Sequence, residues 1–193
     1  MKRLIIIGAG GHGRVVADAA NQPVVFLDDN LKLEGVIGSI NQLEQIKEKD
    51  DVLVVGIGDN KIRMEMLSKI QEVATIIHPT AVISKSAMVG DGTVVFANAV
   101  INQNSTIGRG CILNTASTVD HDCILGDGVH ISPGAHLGGN VVVGDCSWIG
   151  IGASVKHGVT IGKNVMVGAG AAVVNDITDG VTVVGVPAKE LTT

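Results

Sequence analysis

From Ile77 onward, one position in six is aliphatic. Ile77, Ile83, Val89, Val95 and Ile101 begin a series that runs through Leu113, Leu125, Leu137, Ile149 and Ile161 to Val173, 17 positions without an interruption. Two places earlier in each hexad stands a small residue, a β-branched one or cysteine, as at Ala81, Thr93, Ser105, Cys111 and Cys123. Glycine often follows the aliphatic, as at Gly90, Gly108 and Gly126. A strand period of two does not demand this spacing, and a helical period of 3.6 loses register with it within two turns. Hexapeptide repeats do demand it. Each hexad is a short flat strand and a corner, and three close a triangular coil of about 18 residues around one inward aliphatic per side. Seventeen hexads therefore predict a β-solenoid of between five and six coils.

The first 75 residues follow another pattern. Apolar runs predict strands at Arg3–Ile7, Val24–Leu27 and Val52–Gly56, and helices near Gly13–Asn21, Ile40–Lys47 and Asn60–Glu72. This alternation is one βαβαβ half of a nucleotide-binding sheet. The expected organisation is thus an α/β half-Rossmann domain over 1–75 and an all-β parallel β-helix over 76–193.

The first strand runs into Gly8-Ala9-Gly10-Gly11-His12-Gly13, which matches G-x-G-x-x-G. On motif alone this opens a dinucleotide site and suggests a dehydrogenase, but a dinucleotide needs a second half-sheet that the hexads leave no room for. Gly8 and Gly10 permit a tight turn and close backbone approach, and the amides at the helix start favour a phosphate. Asp28 and Asp29 end the second strand, where a carboxylate can accept from a ribose or a base edge. The loop "GIGDN", Gly56 to Asn60, adds a second glycine-rich turn at the same sheet edge. Gly10, Gly11, His12, Asp28, Asp29 and Gly58 are therefore the expected lining of a mononucleotide or nucleotide-sugar pocket.

Composition narrows the picture. Hydrophobic residues make up 46% of the chain, yet its only aromatics are Phe26, Phe96 and Trp148, and 26 residues are glycine. A core of Val, Ile, Leu and Ala fits a narrow, regular interior. The net charge of −5 and the lack of a basic cluster argue against nucleic acid and anionic membrane as partners. The N-terminal apolar run enters a glycine turn instead of a cleavage site, and no stretch is long enough to span a bilayer, so a cytoplasmic location is expected. Cys111, Cys123 and Cys146 form no metal-type pair and no even disulfide framework.

The hexads resemble the left-handed parallel β-helix of the hexapeptide-repeat acyltransferases, and "GVPAKEL" (Gly185 to Leu191) resembles the segment that follows it there. Joined to a half-Rossmann domain carrying "GAGGHG", "FLDD" and "GIGDN", they resemble the sialic-acid and amino-sugar acyltransferase family over essentially the whole chain. The run from Ile112 to Gly144 is most similar to the UDP-4-amino-sugar N-acetyltransferases of bacillosamine synthesis. The resemblance implies acetyl-CoA as co-substrate, no metal, and a homotrimer with active sites between adjacent prisms. It also implies the 4-amino group of a UDP-4-amino-4,6-dideoxy-N-acetyl sugar as acceptor. Sibling acceptors are a sialic acid hydroxyl and GDP-perosamine.

Acyl transfer to an amine needs a base, and histidine suits it. Of six histidines, His121 is the strongest candidate: it follows the inward Val119 by two residues, at a corner, between Asp120 and Asp122. By resemblance His121 is the catalytic base and Asp122 its acidic partner, although the bacillosamine-type enzymes carry Glu there, one methylene longer. No Ser or Cys is placed for an acyl-enzyme, so direct attack is expected. Adding the coil length to 121 gives Gly139 and then His157, so the three stack along one edge, about 4.8 Å apart. Gly139 is expected to leave a gap beside the base for a pantetheine arm. The same arithmetic puts Trp148 over His130 and Asn114 under Ser132. By resemblance His130, Gly139, Ile151 and Ala169 contact acetyl-CoA, Asn114 lies beside the base, and His12 faces substrate phosphate or sugar. His136 and His157 are read as surface or interface residues. Two remote alternatives are a zinc enzyme of the γ-carbonic anhydrase type, using His121, His130 and His136, and a non-catalytic sugar-nucleotide binder.

Overall fold

The computed structural model describes residues 3–191, so residues 1–2 and 192–193 of the two expected domains lie outside the described residues. The N-terminal unit is a four-stranded, wholly parallel sheet in the order β3-β2-β1-β4, formed by β1 (Leu4–Ile7), β2 (Val24–Leu27), β3 (Val36–Gly38) and β4 (Val52–Val55). Every side chain of β1 is fully buried, as expected of a central parallel strand covered on both faces. Val16 and Ala19 of α1 (Gly11–Ala20) pack on one face, and Leu67 of α3 (Asn60–Ser68) on the other.

Four details differ from the sequence pattern. The first helix opens at Gly11, because Gly10 sits extended at ψ −174° and serves as its N-cap. The strand β3 adds an edge that three residues are too few to announce by periodicity. The segment expected as one helix over Ile40–Lys47 is a 3₁₀ turn, Ile40–Gln42, followed by the single turn α2 (Leu43–Ile46). Finally, α3 stops at Ser68 instead of reaching Glu72.

The remainder is a left-handed parallel β-helix of two-residue strands. Strands pair with those 18 residues on, as His130 with Trp148 and Thr118 with His136. Face one carries Ile76–Ile77, Val94–Val95, Ile112–Leu113, His130–Ile131, Trp148–Ile149 and Met166–Val167. Face two carries Val82–Ile83 through Ala172–Val173, and face three Met88–Val89 through Thr160–Ile161. From Val95 onward the hexad aliphatics fill the prism and are buried, each contributing about 1.5–3 kcal/mol. Ile77, expected to point inward with them, is 46% exposed, because the first coil has no coil beneath it; Ile83 and Val89 are half-buried for the same reason. At the far end Thr182–Val184 extends face one and pairs antiparallel with Lys189–Glu190, so "GVPAKEL" forms a closing hairpin.

From Gly92 to Gly170 the corners are turned by a left-handed residue, which explains the recurrent Gly and Asn: Gly110, Gly128, Asn98, Asn104 and Asn140 all have φ between 58° and 67°. Buried hydroxyls lock successive coils. Ser147 Oγ donates to the Gly162 carbonyl at 2.7 Å and accepts from the Val165 amide at 2.9 Å, and Thr93 and Ser105 repeat the arrangement. The N-terminal unit docks on the first strands of face one, where the outward side chains Ile76, Val94 and Ile112 join Leu4, Ile6 and Val16 in one core.

Candidate active site

His121 sits on the prism edge between faces two and three. Its backbone amide donates to Asp120 Oδ1 at 2.8 Å, and its Nδ1 lies 2.7 Å from Asp122 Oδ2. The shorter aspartate thus reaches the ring directly. It does so because Asp122 occupies the left-handed corner position, φ 58°, which turns its carboxylate back over the preceding residue. Asn104 donates from the coil below to Asp122 Oδ1 at 3.1 Å, and Asn102 to Asp120 Oδ1 at 2.9 Å, so both acids are held in place. With Nδ1–H donated to a carboxylate, Nε2 carries the lone pair. The hydrogen bond to Asp122 raises the His121 pKa, burial opposes it, and the Asp120 and Asp122 charges add to the rise. The side chain is 46% exposed, so this edge is open to a ligand or to a second chain.

The gap expected over Gly139 is taken by the His121 ring itself. A β-carbon at Gly139 would stand 2.6 Å from both Cε1 and Nε2 of His121, so this glycine is the seat of the imidazole and not a channel beside it. His157 follows on the same edge, exposed, with its amide backbone against Gly138.

His130 lies on face one and is only 6% exposed. Its ring stacks on Trp148 with centroids 4.7 Å apart, as the coil arithmetic predicts, and Trp148 Nε1 donates to Ser132 at 2.7 Å. Asn114 belongs to this group: within one chain its Nδ2 meets His130 Nε2 at 3.1 Å, and it does not adjoin His121. Because Asn114 Oδ1 accepts from the Thr115 amide at 2.8 Å, Nδ2 is the donor, Nε2 the acceptor, and the His130 proton sits on Nδ1. That Nδ1 is buried without a partner. Burial, with the Arg63 charge adding to it, pushes the His130 pKa down to about 3, so the ring is neutral.

Ile151 and Ala169 are exposed and stack on the edge between faces one and two, linked by the Gly170 amide donating to the Ile151 carbonyl. Face two, with His136 held by Thr118 Oγ1 at 2.9 Å, therefore separates them from His121 within one chain.

In the N-terminal unit the carboxyl ends of β1, β2 and β4 bring the expected loops together. The glycines divide by role: Gly8 needs its φ of 102°, and a β-carbon on Gly13 would collide with the Gly8 carbonyl, whereas Gly10 and Gly11 face open space. The latter two, at an α1 N-terminus with no side-chain cap, leave amides free for an anion. Asp28 spends its carboxylate locally, accepting from the Ala9 amide at 2.7 Å and the Asn30 amide at 2.8 Å, and Asp29 accepts from Ile40 at 3.2 Å. His12 does not face a phosphate as a cation. Its ring meets Phe96 edge-on at 5.5 Å and Gly58 lies against its Cβ. Burial, then the Arg63 charge, pushes its pKa down to about 4, and Nε2 is buried without a partner.

Sequence reasoning missed Arg63 and Asn60, which join the "GIGDN" loop to the prism, and Arg109, which donates to the Leu67 and Ile70 carbonyls that end α3. Among the described residues no three His, Cys, Asp or Glu side chains gather where they could hold a metal, and no helix is long and apolar enough to cross a membrane.

A half-sheet with an anion-ready helix start, set on a left-handed β-helix with a carboxylate-paired histidine at its edge, defines a hexapeptide-repeat protein of the acyltransferase type. Residues 3–70 match the PglD N-terminal domain and residues 140–175 the bacterial transferase hexapeptide, six repeats. The chain is 44% identical to the acetyltransferase domain of PglB from Neisseria gonorrhoeae FA1090, over 99% of this chain and 100% of that one, with a TM-score of 0.94. That domain has also been solved in complex with acetyl coenzyme A. A mutant of GDP-perosamine N-acetyl transferase from Caulobacter crescentus, in complex with CoA and GDP-perosamine, is 38% identical over 100% of this chain and 98% of that one, with a TM-score of 0.95. The UDP-N-acetylbacillosamine N-acetyltransferase of Bacillus subtilis (strain 168) is 35% identical over 109 residues, 48% of this chain and 50% of that protein. The chain thus matches about half the length of that curated relative. The chain belongs to the family of hexapeptide-repeat amino-sugar N-acetyltransferases with a PglD-type N-terminal domain.

Proposed function

We propose that the protein is an acetyl-CoA-dependent N-acetyltransferase that acts on the 4-amino group of a UDP-linked 4-amino-4,6-dideoxy-N-acetyl sugar. The observation that carries the chemistry is the 2.7 Å contact between His121 Nδ1 and Asp122, which leaves Nε2 as a proton acceptor at an open edge. His121 removes a proton as the sugar amine attacks the thioester carbonyl directly. The nitrogen–carbon bond forms, the tetrahedral adduct collapses, and CoA leaves as a thiol. The open amides at Gly10 and Gly11 bind the diphosphate, with Gly58, Asp28 and Asp29 around the nucleoside.

His121 and the candidate cofactor residues Ile151 and Ala169 occupy different edges of one prism. A homotrimer of side-by-side prisms brings one chain's His121 edge against the next chain's Ile151 edge and makes the groove in which acetyl-CoA lies. His130 lines that groove from face one, Asn114 beside it meets the acceptor sugar, and Gly139 contributes through the seat it gives the base.

A second acceptor, GDP-perosamine, is favoured by the similarity to the Caulobacter crescentus enzyme over the full chain. The deciding experiment follows CoA thiol release with purified protein and His121→Ala, offering the UDP-4-amino sugar, GDP-perosamine and free sialic acid in turn. Turnover of the UDP sugar that is lost in the variant supports the proposal, and turnover of another acceptor alone replaces the substrate. Silence with all three overturns the proposal.

A further inference from the structure

Arg63 is 1% exposed and carries no carboxylate partner among its hydrogen-bond acceptors. All five guanidinium N–H groups are used. Nε donates to the Gly110 carbonyl at 2.7 Å, Nη1 to those of Ile57 at 3.1 Å and Gly58 at 2.9 Å, and Nη2 to Asn60 Oδ1 at 2.8 Å and the Gly128 carbonyl at 2.9 Å. Asn60, itself buried, continues the line by donating to the Cys146 and Ser147 carbonyls at 3.1 and 3.3 Å. Gly110, Gly128 and Cys146 are the left-handed corners of three successive coils. One planar group therefore ties the glycine-rich loop at the end of β4 to a measured run of the prism.

Adhesion does not require this arrangement. Met64 and Leu67 of the same helix already pack over Gly92, Gly110 and Gly128. A buried cation is expensive, and an aliphatic side chain would have served to stick the two units together. What the five-donor fork adds is register, since its geometry fixes how the loop lies relative to the coils along and around the prism axis.

We infer that Arg63, locked by Asn60, is a positioning residue for the transfer: it holds the Gly56–Asn60 loop, and with it a bound nucleoside diphosphate sugar, in register with the prism that carries the base. This inference rests on the proposed function for the identity of the ligand, but the clamp itself is independent of it. Arg63 also stands behind the two neutral imidazoles of the seam, since its charge contributes to keeping both His12 and His130 unprotonated.

The test uses full-length Arg63→Lys, Arg63→Met and Asn60→Ala. Lysine keeps the charge but has three donors in place of the fork, so it does not rescue. In Arg63→Lys the KM for the nucleotide sugar rises at least tenfold, while the KM for acetyl-CoA stays within twofold of wild type. The amides of Gly56 and of residue 63, which donate to the Ile7 and Asp59 carbonyls at the two ends of the loop, exchange hydrogen at least tenfold faster, with the hexads from 130 to 173 unchanged. Asn60→Ala moves the same quantities in the same direction and carries the test if Arg63→Met does not fold. An unchanged sugar KM with unchanged loop exchange in a folded Arg63 variant overturns the inference, as does a parallel rise in both KM values. If the wild type turns over no nucleotide sugar, the proposed function fails, and the exchange readout alone decides whether the clamp exists.

Discussion

The imidazole of His121 rests on the bare backbone of Gly139 one coil away, so close that a β-carbon there would stand 2.6 Å from both Cε1 and Nε2. Nothing else about Gly139 demands glycine, because it lies outside the positive-φ positions and the atoms it would strike belong to a half-exposed side chain that can rotate. Gly139→Ala is therefore expected to fold normally and to swing the ring off its seat. Displacement of a base by about 1 Å costs on the order of 10²-fold in rate. The expected result is a kcat reduced by about that factor with a melting temperature within 2 °C or so of wild type. A fall in melting temperature matching the loss of activity would show that the glycine serves the fold.

Asp122 makes a prediction about pH. Its hydrogen bond raises the His121 pKa above the ordinary 6.5, and the base form is lost as pH falls through that raised value. Asn is tolerated at left-handed corners of this same prism, as at Asn104 and Asn140, so Asp122→Asn leaves the fold intact. In that variant the acid limb of kcat/KM moves to lower pH, because the largest cause of the rise is gone while the Asp120 charge remains. The amide also donates to Nδ1 in place of accepting from it, which favours the wrong tautomer and reduces kcat by roughly 10²-fold or more. A pH–rate profile of the two proteins measures both effects, and an unmoved limb would separate Asp122 from the base.

Truncation of His121 gives a third expectation. His121→Ala loses the proposed proton acceptor while Asp122 keeps Asn104, so the edge holds its shape. General-base catalysis of this kind contributes about 10²–10⁴-fold, and kcat should fall by that factor with the KM for acetyl-CoA little changed. Steady-state kinetics with the accepted sugar decide it.

What was legible in the sequence follows from how far its causes reach along the chain. The period of six states the solenoid directly, since every hexad repeats the same strand and the same corner, and the column arithmetic placed Trp148 over His130. The seam was not legible in the same way. Arg63 finds its acceptors 47 and 65 residues downstream, and no local motif marks it. The available signal was indirect: Gly110, Gly128 and Cys146 fall in one column, so a polar helix docked over that column would meet three corner carbonyls in a row. His12 is a related case: its glycine-rich context points to substrate phosphate or sugar but says nothing of Phe96, more than eighty residues away, which its ring meets edge-on. The repeat places Ile77 inward with the rest, because a period does not mark where a stack of coils begins.

The buried hydroxyls make a contrast within one repeat position. Ser147 and Ser117 occupy equivalent hexad sites and both are buried, but Ser147 makes two inter-coil hydrogen bonds while Ser117 Oγ has no partner. Ser147→Ala strands a carbonyl and an amide and should destabilise by about 1–3 kcal/mol. Ser117→Ala removes an unsatisfied buried oxygen and should be neutral or mildly stabilising. Thermal denaturation of the two variants side by side tests the difference, and equal losses would contradict it.

Ala116 offers the last test, at the level of the backbone. It holds φ 55° at a corner where neighbouring coils place Asn98 and Gly134, and a β-branchless but non-glycine residue there carries roughly 1–2 kcal/mol of left-handed strain. Glycine would relieve that strain but add freedom to the unfolded chain, so Ala116→Gly should gain only a few tenths of a kcal/mol. Asparagine adopts the conformation more readily than alanine without that added freedom, so Ala116→Asn should gain more, about 0.5–1 kcal/mol. The reverse change at Gly134, where φ is 63° and a β-carbon would meet nothing within 4 Å, introduces the backbone penalty alone and should lose about 1 kcal/mol. Melting temperatures in the order Ala116→Asn, Ala116→Gly, wild type, Gly134→Ala would show that corner stability in this prism is set by φ; any other order would mean that side-chain contacts at the corners dominate it.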